Sequence, residues 1–198
     1  MILDIATSLY RCQRQWRQWP YAAWLGLAFP GRSGVMTLVW ARGDGSGCFW
    51  VGPASHAADE GFICERGVRA IINCCHIDFP WVEELARSGG SGVPAVQMSR
   101  IWLNINFKGS NWWQRFNTSI MLALTTLMAG NSVLAHCIHG RHRSGAFAVC
   151  VLALLKNISA KEAQQEYFHL RQATFRSSDK QRVCDICSSL RLHEVANS

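Results

Sequence analysis

Apolar positions along the chain fall into runs of two lengths. Short runs cover Cys48 to Gly52, Val68 to Cys74, Ala95 to Asn104 and Ser132 to Ala135. They are rich in β-branched or aromatic residues, bounded by Gly, Ser or Asn, and read as strands. Longer apolar stretches recur at helical spacing over Asn111 to Met128 and almost without a break from Gly145 to Leu155. The first ends in Ala129, Gly130 and Asn131, a stop signal. Ser55 to Arg66 has helical character with Ser55 as its N-cap, and Phe79 to Arg87 reads as a short helix before a loop over Ser88 to Gly92. Ser159 and Glu162 have the spacing of a capping box, which opens a helix to about Arg171, and Ser178 to Leu192 reads as a last helix. Strands that alternate with helices predict an α/β fold: a central, mostly parallel twisted sheet flanked by helices on both faces.

The first 45 residues follow a different pattern. Ile2, Ile5, Leu9, Gln13 and Trp16 have roughly helical spacing, and Arg11, Arg14 and Arg17 recur every third position among tryptophans. A basic, aromatic amphipathic helix packs on its own domain, lies on an acidic membrane surface, or serves as a mitochondrial presequence. The turn Gly43 to Gly47 reads as the boundary, giving an N-terminal extension over 1–45 and one domain with a C-terminal helix over 46–198.

Composition narrows the function classes. With 49% apolar and 17% charged residues among 198, the chain can bury a core and is not a disordered tail. Its apolar runs are broken before the roughly 18 residues that a spanning helix needs. Nine cysteines are an odd number, and no secretory signal is visible, so the expectation is a reduced intracellular compartment, cytoplasmic unless the extension directs otherwise. A net charge of +7 favours anionic partners. No DNA-binding motif is present.

The candidate chemistry lies between the last short run and the helix after it. Cys137 and Arg143 are separated by five residues, Ile138, His139, Gly140, Arg141 and His142. A strand, a tight loop and a helix converge backbone N–H groups and the positive helix end on one point. That potential suits a thiolate nucleophile, and an arginine can hold two oxygens of a tetrahedral oxyanion in a planar fork. The plain alternative is an ordinary buried cysteine.

His136, Cys137, the five-residue spacing, Arg143 and Ser144 together resemble the signature loop of the protein tyrosine phosphatase superfamily, especially its small dual-specificity branch. The resemblance covers about residues 48 to 175, with its specificity concentrated in 133 to 145. It implies a dual-specificity phosphatase-like fold and catalytic roles for three residues: Cys137 as nucleophile, Arg143 as phosphate clamp and Ser144 as the hydroxyl that eases departure of the thiolate. Ile138, His139, Gly140, Arg141 and His142 would bind substrate, with Gly140 letting the loop close and His136 ordering it from behind. The implied partner is a phosphorylated protein or another phosphorylated, anionic molecule. The implied chemistry needs no metal and no cofactor. A sulfurtransferase loop is one residue shorter, and the position it would use is His142.

The sequence departs from the resemblance at one residue. The family places an aspartate about thirty residues before the nucleophile as the proton donor. Asn106, 31 residues before Cys137, stands there instead. An amide is no general acid, a deficit of about two to four powers of ten in rate. Asp78 could supply the proton from another loop, the substrate could carry a good leaving group, or the protein could bind phosphate with little turnover. His139, Arg141 and His142 make the loop unusually basic, which favours phosphoinositides or RNA 5′-triphosphates as alternative substrates, with Lys108 and Arg115 at the rim. Some lipid-directed relatives carry a cysteine at a comparable strand end that forms a disulfide with the nucleophile, a role that would fall to Cys74 or Cys75. Cys184 and Cys187 read as two thiols on a helical surface.

Overall fold

Six consecutive buried residues form the strand at the middle of a five-stranded sheet. Side chains of a strand alternate between its faces, so a run buried at every position requires cover on both. The computed structural model describes residues 35–57, 59–75, 96–100, 112–171, 183 and 185–189. Its strands are β1 (Thr37–Ala41), β2 (Cys48–Pro53), β3 (Val68–Asn73), β4 (Gln97–Arg100) and β5 (Ser132–Cys137). Its helices are α1 (Ala54–Ala57), α2 (Glu60–Glu65), α3 (Trp112–Met128), α4 (Arg143–Leu155) and α5 (Ala160–Arg171). The sheet order is β1-β2-β5-β3-β4. β2, β5, β3 and β4 run parallel, and β1 adds an antiparallel edge. The α/β architecture with a mostly parallel sheet stands as the pattern of runs implied.

Two neighbouring residues of β2 show where the layers lie. Phe49 meets Phe147 of α4 edge-on at 6.5 Å, and Trp50 meets Phe62 of α2 at 5.9 Å. Adjacent strand residues point to opposite faces, so α4 and α2 cover opposite sides. Arg66 lies over the Trp50 ring at 5.2 Å, closing the α2 side. On the other side Phe147 also meets Phe116 of α3 at 5.8 Å, and Phe116 stacks on Trp113. Phe147 thus joins β2, α4 and α3 through fully buried rings.

Local signals set most helix ends. The Ser159 hydroxyl accepts from the Glu162 N–H at 3.2 Å while the Glu162 carboxylate accepts from the Ser159 N–H at 2.8 Å, the full capping box. α3 stops at Gly130, which takes φ +79°. Two expectations need correction. The helix expected over Ser55 to Arg66 is two, because the Asp59 carboxylate accepts from Phe62 N at 3.1 Å and starts a new one, so Asp59 and not Ser55 is the capping residue. The turn over 43–47 is not a domain boundary: it joins β1 to β2 within one sheet, through a Gly45 N–H bond to Arg42 O at 2.9 Å. Residues 1–34 and the helix expected over Phe79 to Arg87 lie outside the described residues. Of the last expected helix, Val183 and 185–189 are described, and they are helical. Among the described residues no helix is long and apolar enough to cross a membrane.

Phe147→Ala should cost about 3–5 kcal/mol, because it empties the ring cluster that ties α3 and β2 to α4. Ser159→Ala should cost only about 1 kcal/mol. Urea unfolding of the two variants beside the wild type measures both, and similar losses would mean that Phe147 does not hold the layers together.

Candidate active site

The parallel strands deliver their C-terminal ends to one edge of the sheet, where sheets of this kind bind ligands. β5 ends there at Cys137, opposite Pro53 of β2, and the neighbouring pair is Asn73 with His136. The loop over 138–142 leaves β5 between these two flanking strand ends. Ala54 N donates to Ile138 O at 3.4 Å and ties the loop to the β2 side, while Cys74 N donates to His136 O at 2.8 Å and fixes the end of β5 on the β3 side.

Gly140 decides the shape of the loop. Its φ is +64°, a left-handed value that side chains other than glycine rarely tolerate. A Cβ there would also stand 2.3 Å from the Gly52 carbonyl carbon and 2.6 Å from Pro53 N. Gly52 is confined in turn, since a Cβ on it would meet Met36 Cε at 2.6 Å. These backbone contacts turn the loop back so that its end enters α4 at Arg143.

The loop residues divide by exposure. Cys137, Gly140 and Ser144 are buried, Ile138, His139 and Arg143 are half-buried, and Arg141 and His142 are exposed. The Ser144 hydroxyl donates to Cys137 Sγ at 3.4 Å, bringing together two residues seven apart in sequence. Arg143 Nη1 is buried and has no hydrogen-bond partner among the described residues. α4 begins without a side-chain cap at His142 and without an acidic residue in its first turn. A thiol, a buried guanidinium nitrogen and an uncapped helix N-terminus therefore share one loop. Such a set can hold a tetrahedral oxyanion.

Behind the loop the groups are dry. His136 is fully buried, and burial lowers its pKa from the ordinary 6.5 to about 3, so the ring is neutral at physiological pH. Burial pushes the Cys74 thiol well up, with the neighbouring Cys137 and Cys75 adding to the shift and Arg143 opposing it. The Asn73 side-chain oxygen accepts from Cys75 N at 3.0 Å and Cys75 Sγ at 3.1 Å. Cys74 follows the Asn73–His136 pair as Cys137 does, so of the two cysteines it is Cys74 that the register sets beside Cys137.

Two residues escaped the sequence reading. Tyr167 of α5 is fully buried. Burial raises its phenol, Arg171 opposes that shift, and Cys137 adds to it. Arg171, read only as a helix end, donates from Nη1 to Val51 O at 2.6 Å and fastens α5 to β2 just before Gly52. Tyr167 and Arg171 lie four apart on a helix, but nothing local announces a partner 120 positions away. Asn106, Asp78 and Lys108 lie outside the described residues. Arg115 is exposed on α3.

The fold is dual-specificity phosphatase-like. Human DUSP28 is similar over 80% of this chain and 99% of its own, with a TM-score of 0.59 at 18% identity. PTPMT1 in complex with PI(5)P is similar over 74% of this chain and 94% of its own, with a TM-score of 0.55 at 16% identity. A leucine rich repeat and phosphatase domain containing protein from Entamoeba histolytica is similar over 82% of this chain and 95% of its own, at 0.58 and 13%. No family model and no curated protein matches the sequence.

Gly140→Ala should leave the chain folded but abolish binding of a phosphate analogue such as vanadate, because the added methyl cannot enter the space against Gly52. Calorimetric titration together with circular dichroism tests this, and undiminished binding would show that the loop does not need the contact. A second expectation concerns acid. Folded His136 stays neutral while the unfolded ring takes up a proton near pH 6.5. Stability should therefore be unaffected above that pH and fall as the pH drops from 6.5 towards 3. His136→Gln should flatten this slope in unfolding measured from pH 7.5 to 4, and an unchanged slope would assign it to other groups.

Proposed function

We propose that the protein is a cysteine-dependent phosphatase of the dual-specificity type, hydrolysing phosphomonoesters through a cysteinyl-phosphate intermediate. The observation that carries the reading is the buried Arg143 Nη1 without a partner, in the same loop as a thiol that accepts from Ser144. A buried cationic donor left unsatisfied is costly, and a bound oxyanion relieves that cost. In this reading the Cys137 thiolate attacks phosphorus while the Arg143 fork holds two non-bridging oxygens and the loop N–H groups take the rest. The ester bond breaks and the leaving oxygen takes a proton. Water then attacks the cysteinyl phosphate, the P–S bond breaks, and the Ser144 hydroxyl stabilises the departing thiolate. The chemistry calls for neither metal nor cofactor.

The substrate of this reading is a phosphorylated protein or a more highly anionic molecule. Exposed Arg141 and His142 support the second option, since each added cation favours a further phosphate near the scissile one. Phosphoinositides fit that chemistry, and PI(5)P is the ligand held in the PTPMT1 complex; an RNA 5′-triphosphate fits it too. The basic extension is proposed to meet an acidic membrane surface. A second reading, a phosphate-binding module with little turnover, is favoured by Asn106 in place of the proton donor.

Cys137→Ser should abolish hydrolysis of an aryl phosphate at mildly acidic pH yet retain vanadate or phosphate binding, because a hydroxyl does not replace the thiolate nucleophile. Retained activity would exclude the covalent route. Asn106→Asp should speed hydrolysis of substrates with poor leaving groups by about tenfold or more and barely affect activated aryl phosphates. Asp78→Asn makes the contrast: a selective loss on those same poor substrates, with no gain from Asn106→Asp, would move the acid to the earlier loop. No measurable turnover in any of these forms, with phosphate binding intact, would favour the binding module.

A further inference from the structure

α4 carries one thiol, Cys150, that the proposed chemistry does not use. Cys150 lies seven residues beyond Arg143, about 10 Å along the helix axis. Cys187, in the helical stretch 185–189, brings its Sγ to 3.4 Å from Cys150 Sγ. Both residues are buried, at 1% and 4% exposure, and both are thiols in this structure. A disulfide needs the sulfurs at about 2.05 Å, so closure asks for a shift of roughly 1.4 Å, within reach of side-chain rotation and a small helix adjustment. This is a correction as well: Cys187, read as a surface thiol, faces the core, and its neighbours Val183 and Ile186 are buried with it.

We propose that Cys150 and Cys187 form a modification site: an oxidative cross-link that staples the C-terminal helical stretch to α4, the helix that supplies Arg143 and Ser144. The oxidant is a low-molecular-weight disulfide such as oxidised glutathione. The reaction begins with local opening of the helical segment that carries Cys187, which needs no global unfolding. In the open form the Cys187 thiol loses its proton and attacks one glutathione sulfur. A mixed disulfide forms, and the first glutathione leaves and takes up a proton. Re-docking returns the mixed disulfide to Cys150, which loses its proton and attacks Cys187 Sγ. The protein disulfide forms and the second glutathione leaves as a thiol. Two protein thiols and one glutathione disulfide thus become one protein disulfide and two glutathione thiols. The cross-link bridges two segments that are distant in sequence and restrains the unfolded chain, so the folded form gains stability.

The test equilibrates the folded full chain in glutathione buffers from reducing to oxidising, quenches with an alkylating reagent and maps the peptides by mass spectrometry. The expected result is a peptide pair joining Cys150 to Cys187, two hydrogens lighter than its thiols, together with a rise in Tm of roughly 5–15 °C. Cys187→Ser and Cys150→Ala should each remove both the peptide pair and the Tm rise, whereas Cys184→Ser should leave both. Mapping separates this link from one between Cys74 and Cys137. The proposal is overturned if Cys150 and Cys187 stay fully alkylated in buffers that oxidise other thiols of the chain. It is overturned equally if Cys187 pairs with Cys184, or if the link forms and Tm does not rise.

Discussion

Where the loop after β5 folds back, Gly140 lies so close to β2 that a Cβ on it would stand 2.3 Å from the Gly52 carbonyl carbon. Two backbones meet there with no side chain between them. They can do so because β2 and β5 are paired in parallel as far as Pro53 and Cys137. That register is held in turn by the fit of β5 to the two different layers that cover it, since a slip by one would turn each side chain towards the wrong layer. The position of Cys137 relative to Ser144 and Arg143 thus follows from sheet packing.

The loop holds a polar group that the described residues do not satisfy. Arg143 Nη1 is buried without a partner among the described residues, and α4 starts without a side-chain cap or an acidic first turn. Both features cost stability. An anion that binds the folded loop and not the unfolded chain shifts the folding equilibrium by mass action. Affinity and stability are therefore linked through the same few atoms.

The parts legible in the sequence are those governed by local rules. The buried run of β5, the apolar run of α4 and the Ser159–Glu162 box each depend on neighbours within a few positions, and each stands where the pattern put it. The split at Asp59 was missed because Ser55 is also a good cap, and helical periodicity does not choose between them. β1 was assigned to the extension because the glycines of 43–47 serve a hairpin as well as a linker. Arg171 on Val51 and Cys187 on Cys150 are contacts between distant segments, and no periodicity encodes them. Asn106 was found only because the resemblance supplied a residue to look for.

The direction of β1 has a consequence for how the molecule can be handled. It runs antiparallel to β2 with Thr37 opposite Val51, and Met36 packs on Gly52, so residue 35 enters the sheet at the edge that carries the loop. Val35 is 77% exposed there. In a truncated form, an affinity tag, a fluorescent fusion or a tether to a solid support joined directly ahead of Val35 is anchored at the mouth of the candidate site. Attachment at that end risks screening the loop from large ligands while sparing small ones, so a comparison of macromolecular and small probes is sound only when the two are measured on the same form of the chain.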